Sequence, residues 1–110
     1  MARFECFTRS IDQNQALLPV ATKALEAEGF KVRSSLDTSV SLIDAGPVKR
    51  MRERVVVQLN ENRCINGFSE LQCVFSNESI SSGPNCRALT SFQYLLEMLQ
   101  NLPNVFVETA

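Results

Sequence analysis

Two apolar periodicities alternate along this 110-residue chain, and their order constrains its fold more than any other feature. The clearest strand pattern is RVVVQLN at 54–60, where Val55, Val57 and Leu59 share one face of an extended chain. FSELQCVF at 68–75 repeats the alternation. Strands of this kind bury one face and expose the other, so they require helices or a second sheet to cover them.

Two other segments carry the helical spacing of three and four residues. The first lies between Asp12 and Glu28. Pro19 favours a helix that begins near it, and Gly29 is the expected left-handed stop. The second follows Asn85, with its apolar stripe on Leu89, Phe92, Leu96 and Leu99.

The remaining segments read as strands with open details. RFECFTR at 3–9 and VFVE at 105–108 alternate as single strands, whereas 30–47 forms either one long bent strand or a hairpin. Asn60-Glu61-Asn62 and Asn66-Gly67 are both turn signals between 54 and 76. The sequence leaves open which of them closes the hairpin.

The element order is therefore β-α-β(β)-β-β-α-β. It predicts one α+β domain over residues 1–110, with two helices packed on one face of a mostly antiparallel sheet of four to five strands. This order resembles the ferredoxin-like pattern βαββαβ with an added strand or hairpin. The resemblance is to a fold pattern and implies no particular activity.

Composition excludes several chemistries. The chain has no histidine, so it cannot by itself build a Ser-His-Asp or Cys-His site. Its four cysteines form no Cys-x-x-Cys pair, and we expect buried, reduced thiols and neither metal nor cofactor. No apolar run is long enough for a bilayer, and the N-terminal residues do not form a continuous apolar segment. These two features predict a cytoplasmic protein without membrane contact.

One candidate binding site lies in SNESISSGPNCRALT at 76–90, immediately before the second predicted helix. A helix N-terminus offers unpaired N–H groups to an anion, and glycine allows close approach. The residues with suitable donors are Ser81, Ser82, Gly83, Asn85 and Arg87. Serine, asparagine and proline are equally typical of a plain helix cap, and this second interpretation is favoured.

A second candidate is the basic segment GPVKRMRER at 46–54. Residues 31–63 hold seven basic and four acidic side chains, so the middle of the chain is where an anionic partner would bind. The candidate surface consists of Lys49, Arg50, Arg52 and Arg54. The same row of charges also protects a strand edge, which is the favoured interpretation, and no aromatic residues are interleaved for stacking on nucleic acid.

The sequence has enough apolar residues for a complete core but lacks the usual catalytic residues. This combination predicts a small, non-catalytic binding or regulatory module. Its partner would be a protein or a small ligand, and a homodimer through the sheet is one such assembly. The alternatives are an anionic-ligand or nucleic-acid binding domain that uses the basic segment, and a cofactor-independent enzyme with a pocket between sheet and helices. Nucleic acid is the less favoured partner because the formal net charge is only −1.

Overall fold

The computed structural model describes residues 2–11, 16–44, 54–63, 69–77 and 87–109. Its strands are β1 (Ala2–Ser10), β2 (Phe30–Leu36), β3 (Ser39–Asp44), β4 (Val56–Arg63), β5 (Ser69–Asn77) and β6 (Val105–Thr109). Its helices are α1 (Leu17–Ala27) and α2 (Arg87–Gln100). The α+β prediction is confirmed.

The strands form one antiparallel sheet in the order β2-β3-β4-β5-β1-β6. The sheet has six strands rather than the four or five predicted, because 30–44 forms a hairpin that turns at Asp37 and Thr38. The chain thus builds a four-stranded meander from β2 to β5, and β1 lies between β5 and β6.

Register places alternate residues of neighbouring strands on the same face. Cys6 of β1 lies opposite Cys73 of β5, which lies opposite Leu59 of β4, which lies opposite Val40 of β3. All four side chains are buried. Both helices pack against this face, which we call the core face. The opposite face, which no helix of the described ranges covers, is called the open face.

Helix α2 is anchored by Phe92. Its ring centroid lies 5.6 Å from those of Phe4 on β1 and Phe75 on β5, stacked on the first and edge-on to the second. The fully buried stripe of the helix is Ala88, Leu95 and Leu99 together with this phenylalanine. The predicted stripe is therefore rotated, because Leu89 and Leu96 lie at its margin and are only half-buried.

Helix α1 begins at Leu17, two residues before the proline near which the sequence predicts its start. Pro19 is its third residue, a position where the N–H would lack an intrahelical partner in any case. Ala16 at the N-cap provides no side-chain hydrogen bond. Instead Glu61 of β4, only 5% exposed, accepts a hydrogen bond from the Leu18 N–H at 3.1 Å. The helix ends as predicted, with Gly29 at φ 97°.

The turn signal at Asn60-Glu61-Asn62 is not a turn. Strand β4 continues through it to Arg63 and stays paired with β5. The connection between these strands contains Asn66-Gly67 and lies outside the described residues. None of the helices in the described ranges is long and apolar enough to span a membrane.

Replacing Glu61 tests this long-range cap. Glu61→Ala leaves the N-terminus of α1 without its acceptor, and we expect the free energy of unfolding to fall by about 1–3 kcal/mol. Glu61→Gln, which keeps an acceptor oxygen, should lose less. Urea unfolding measures both, with Glu26→Ala on the exposed side of α1 as the control. Equal stability of Glu61→Ala and Glu26→Ala would contradict the role of Glu61.

Candidate functional site

The serine-rich candidate site falls largely outside the described residues. Ser81, Ser82, Gly83 and Asn85 are among the residues that the structure does not describe. Arg87 is the first described residue of α2. The anion site at this helix start therefore stays a prediction.

The basic segment is described at only one of its four positions. Lys49, Arg50 and Arg52 lie outside the described ranges, whereas Arg54 lies two residues before β4. The Arg54 guanidinium donates a hydrogen bond to the backbone carbonyl of Asp44 at the end of β3. This arginine thus contacts the chain's own backbone, and the anionic-partner surface stays a prediction.

The open face carries a hydrogen-bonded row of polar side chains that crosses three strands. Ser39 of β3, Asn60 of β4 and Gln72 of β5 lie opposite one another in register. The Ser39 hydroxyl donates to the Asn60 Oδ1 at 3.0 Å, and the Asn60 amide donates to the Gln72 Oε1 at 3.2 Å. Gln58 joins the row, donating to the Ser39 hydroxyl at 2.6 Å and to the Asn60 Oδ1 at 3.0 Å.

The polar row changes direction at β1. The residue of β1 opposite Gln72 is Phe7, which has no hydrogen-bonding group. Gln72 therefore reaches diagonally to Glu5 and donates to its Oε1 at 2.6 Å. Arg3 holds the other carboxylate oxygen of Glu5 at 2.9 Å. The row thus ends on a carboxylate that is held from both sides.

This environment favours the ionised form of Glu5. The hydrogen bond from Gln72 is the largest cause that holds its pKa below the ordinary value; partial desolvation opposes it, and Arg3 lowers the pKa further. The polar groups from β3 to β1 thus largely satisfy one another, which makes this part of the open face a poor recognition surface.

Beyond the polar row, the open face becomes aromatic. Phe7 and Arg9 of β1 lie opposite Glu108 and Phe106 of β6. Arg9 forms an ion pair of 3.1 Å with Glu70 of β5. These residues, with Val107, line an open depression of about 430 Å³, a volume that includes open solvent. We call it the β6 groove.

Phe106 is the unusual residue of the β6 groove. Its side chain is 63% exposed, whereas Phe7 is half-buried. Only Leu36, at 74%, exceeds it among the large apolar side chains of the described ranges. The sequence signal for the groove was Phe7 on the polar face of RFECFTR; Phe106 gave none, since VFVE reads as an ordinary strand.

A second depression lies on the core side, between the end of α1 and the first half of α2. Leu25 and Phe30 form its apolar part, and Asp44, only 5% exposed, is one of its polar lining residues. Glu28, Thr90, Ser91 and Tyr94 complete its lining, with about 400 Å³ of space that includes open solvent. We call it the helix-side pocket. Its polar residues are acids and hydroxyls, which suit a small polar ligand.

Cys6 and Cys73 lie opposite each other on β1 and β5 and are fully buried free thiols. The hydrogen bond with Cys6 and then burial raise the pKa of Cys73 well above its ordinary value. Their positions agree with the expectation of small buried side chains. Cys64 and Cys86 lie outside the described residues, and those described include no group of three or more metal-ligating side chains.

Replacing Gln72 tests the electrostatics of the polar row. In Gln72→Met we expect the pKa of Glu5 to rise toward its ordinary value, because its main hydrogen-bond donor is gone. The stabilisation by ionised Glu5 is present above the unfolded-state pKa and is lost as the pH falls through the folded-state pKa. The variant should therefore lose less stability on acidification than the wild type.

Carboxyl NMR titration and urea unfolding at several pH values measure both effects. Gln93→Met, on the exposed side of α2, is the matched control. An unchanged Glu5 titration in Gln72→Met would show that the polar row does not control this carboxylate.

The buried thiols give a separate prediction. Modification of Cys6 and Cys73 by a maleimide should be at least about a thousandfold slower in the folded protein than in urea, because it requires unfolding. Site-resolved mass spectrometry measures the two rates. Labelling of either residue at the rate of a free thiol would place it at an accessible position instead.

Comparison with known proteins adds no relative: no protein-family model matches the chain, and no curated protein matches it significantly.

Proposed function

We propose that this protein is a small binding module that recognises another polypeptide through the β6 groove. The observation that carries the proposal is the exposed Phe106 near Phe7, at the end of an open face on which the side chains of the polar row bind one another. Aromatic side chains are the usual anchors of protein interfaces because they bury a large area with little conformational freedom to lose.

The two edges of the sheet differ in a way that favours β6. Strand β2 carries Lys31 and Arg33, and its pairing with β3 shifts register between Val32 and Ser34. Charges and bulges on an edge strand hinder the addition of another strand. Strand β6, with the sequence VFVET, has neither lysine nor proline, and its described pairing with β1 has no register shift. An extended segment of a partner can therefore add to β6.

The charges of the β6 groove indicate the chemistry of the segment it binds. Phe7 and Phe106 offer apolar contact, and Arg9 is already paired with Glu70. Glu108 lies opposite Phe7, two residues from Phe106 on β6, and is exposed. Because Arg9 is already paired, the groove suits an extended segment that places an apolar side chain against the rings and needs no acid for the guanidinium.

A small ligand in the helix-side pocket is a second candidate. It is supported by the convergence of Asp44, Thr90 and Tyr94 on an apolar floor, the usual composition of a small-molecule site. A polyanion at Lys49, Arg50, Arg52 and Arg54 remains a further proposal. It receives less support, because Arg54 already binds the Asp44 carbonyl.

We also infer that the architecture is an expanded ferredoxin-like arrangement. If β3 and β4 are set aside as an inserted pair, the remaining elements follow the order βαββαβ. The sheet order supports this, since β1 lies between β5 and β6 with β2 beyond. This interpretation concerns the arrangement of the helices and strands, and it implies no activity.

Peptide selection tests the proposed function. A random peptide library displayed on phage should yield extended peptides with an apolar residue that bind the protein. Phe106→Ala should weaken their affinity at least about tenfold, because truncating an anchor residue typically costs about 2 kcal/mol. Leu36→Ala is the matched control, since Leu36 is also a highly exposed apolar residue but lies on the opposite edge strand.

Calorimetric titration of the selected peptides measures the affinities. The proposal fails if no peptide is enriched over an unrelated domain, or if Phe106→Ala and Leu36→Ala bind the peptides equally well. Urea unfolding of both variants checks that the substitutions leave the fold intact.

A further inference from the structure

The backbone of β6 has one side bonded to β1 and one side facing outward. The Ile11 N–H donates to the Asn104 carbonyl at 3.1 Å, which continues the β1–β6 register by one residue. Since bonded residues alternate along an antiparallel pair, Phe106 and Glu108 direct their backbone groups toward β1. Val105, Val107 and Thr109 direct theirs away from it. No other described strand pairs with this outer side.

We propose that the polypeptide recognised at β6 is a second copy of this chain, added antiparallel about a two-fold axis at Val107. This inference rests on the proposed function and names its partner. The two six-stranded sheets then become one continuous sheet with both open faces on the same side. A two-fold contact between strands requires the sequence VFVET to be complementary to itself.

The backbone groups favour an axis at Val107. Opposite residues in this register are Val107 with Val107, and Val105 with Thr109, so all three outward-facing residues of each copy form hydrogen bonds. An axis at Phe106 would pair only Val105 with Val107, and would leave Thr109 opposite Pro103, which has no N–H. The first register therefore satisfies more of the free edge.

The side chains on the open face agree with this register. Phe106 of one copy lies opposite Glu108 of the second copy, while its own neighbour on the other side is Arg9. The Arg9 guanidinium, which pairs with Glu70 in each copy, and the second copy's carboxylate thus flank the ring from opposite sides. By symmetry the contact occurs twice, so the aromatic rings of both β6 grooves lose solvent exposure together.

The core face gains apolar contact in the same arrangement. Val105 and Val107 are only half-buried in a single copy, because β6 has a neighbour on one side only among the described strands. The two Val107 side chains lie opposite each other across the axis. Pairs of β-branched residues are favourable cross-strand neighbours.

Sedimentation of the full chain at micromolar to millimolar concentration tests the inference. The wild type should reach the mass of a dimer. Val107→Pro removes an N–H that points away from β1, so it should leave the monomer folded and weaken the dimer at least about tenfold through lost hydrogen bonds. Leu36→Ala, on the opposite edge, should dimerise like the wild type. Circular dichroism checks the fold of both variants.

Amide hydrogen exchange by NMR then tests the register. In the dimer, the amides of Val105, Val107 and Thr109 should all exchange more slowly than in dilute monomer. Protection of Val105 and Val107 without Thr109 would overturn the axis at Val107 in favour of one at Phe106. Protection of none of them would exclude β6 from the contact.

Two outcomes would overturn the second copy as partner: a monomer at all concentrations, or a dimer that Val107→Pro leaves unchanged. Neither outcome removes the proposed function, which depends on whether selected peptides bind at Phe106. Conversely, peptides that bind at Phe106 and also dissociate the dimer would support both proposals.

Discussion

In the described part of the chain both helices pack on the same face of a six-stranded sheet, and this one-sided cover is the main constraint on the strands. Most strands direct a set of apolar residues to the core face, as β4 and β5 do with Val57, Leu59 and Phe75. A slip of one residue in any strand would exchange its faces and expose that set to water. Burial of one face therefore determines the register of the whole sheet.

The same constraint determines what the open face contains. Its strands need side chains that tolerate water without attracting other chains. The residues of the polar row from Ser39 to Glu5 meet this need because their side chains form hydrogen bonds with one another. Phe7 interrupts the row at the strand next to the edge, and Phe106 follows on the edge itself. The change from polar to aromatic residues occurs where a further strand would find both backbone groups and apolar contact.

Alternation and helical spacing were sufficient to predict both helices, most of the strands and the α+β class, but they left open whether 30–47 is one strand or a hairpin and gave too few strands. These patterns reflect local burial, which the sequence records directly. The features that the sequence did not predict depend on contacts between residues far apart in the chain. Asn60-Glu61-Asn62 resembles a turn because its residues favour turns, yet Glu61 is drawn into the core by the N-terminus of α1. The stripe of α2 is rotated because Phe92 fits between Phe4 and Phe75, which no local pattern reveals.

The candidate sites also differ in whether local sequence or long-range pairing determines them. Composition predicts two donor-rich segments, and most of their residues lie outside the described ranges, so both sites stay predictions. The β6 groove could not be predicted, because it depends on which strand becomes the neighbour of β1. Sequence showed Phe7 on a polar face, but only the pairing of β1 with β6 places Phe106 and Glu108 beside it.

The acceptor at the start of α1 has a consequence for the order of folding. Leu18 and Glu61 are separated by 43 residues, so the first turn of the helix lacks its acceptor until β4 has formed. During synthesis α1 therefore emerges well before the residue that completes it. Its early turn can fray and re-form until the meander is in register, and only a correctly paired β4 brings the carboxylate to the helix. The hydrogen bond at the start of α1 can thus form only when β4 is correctly paired.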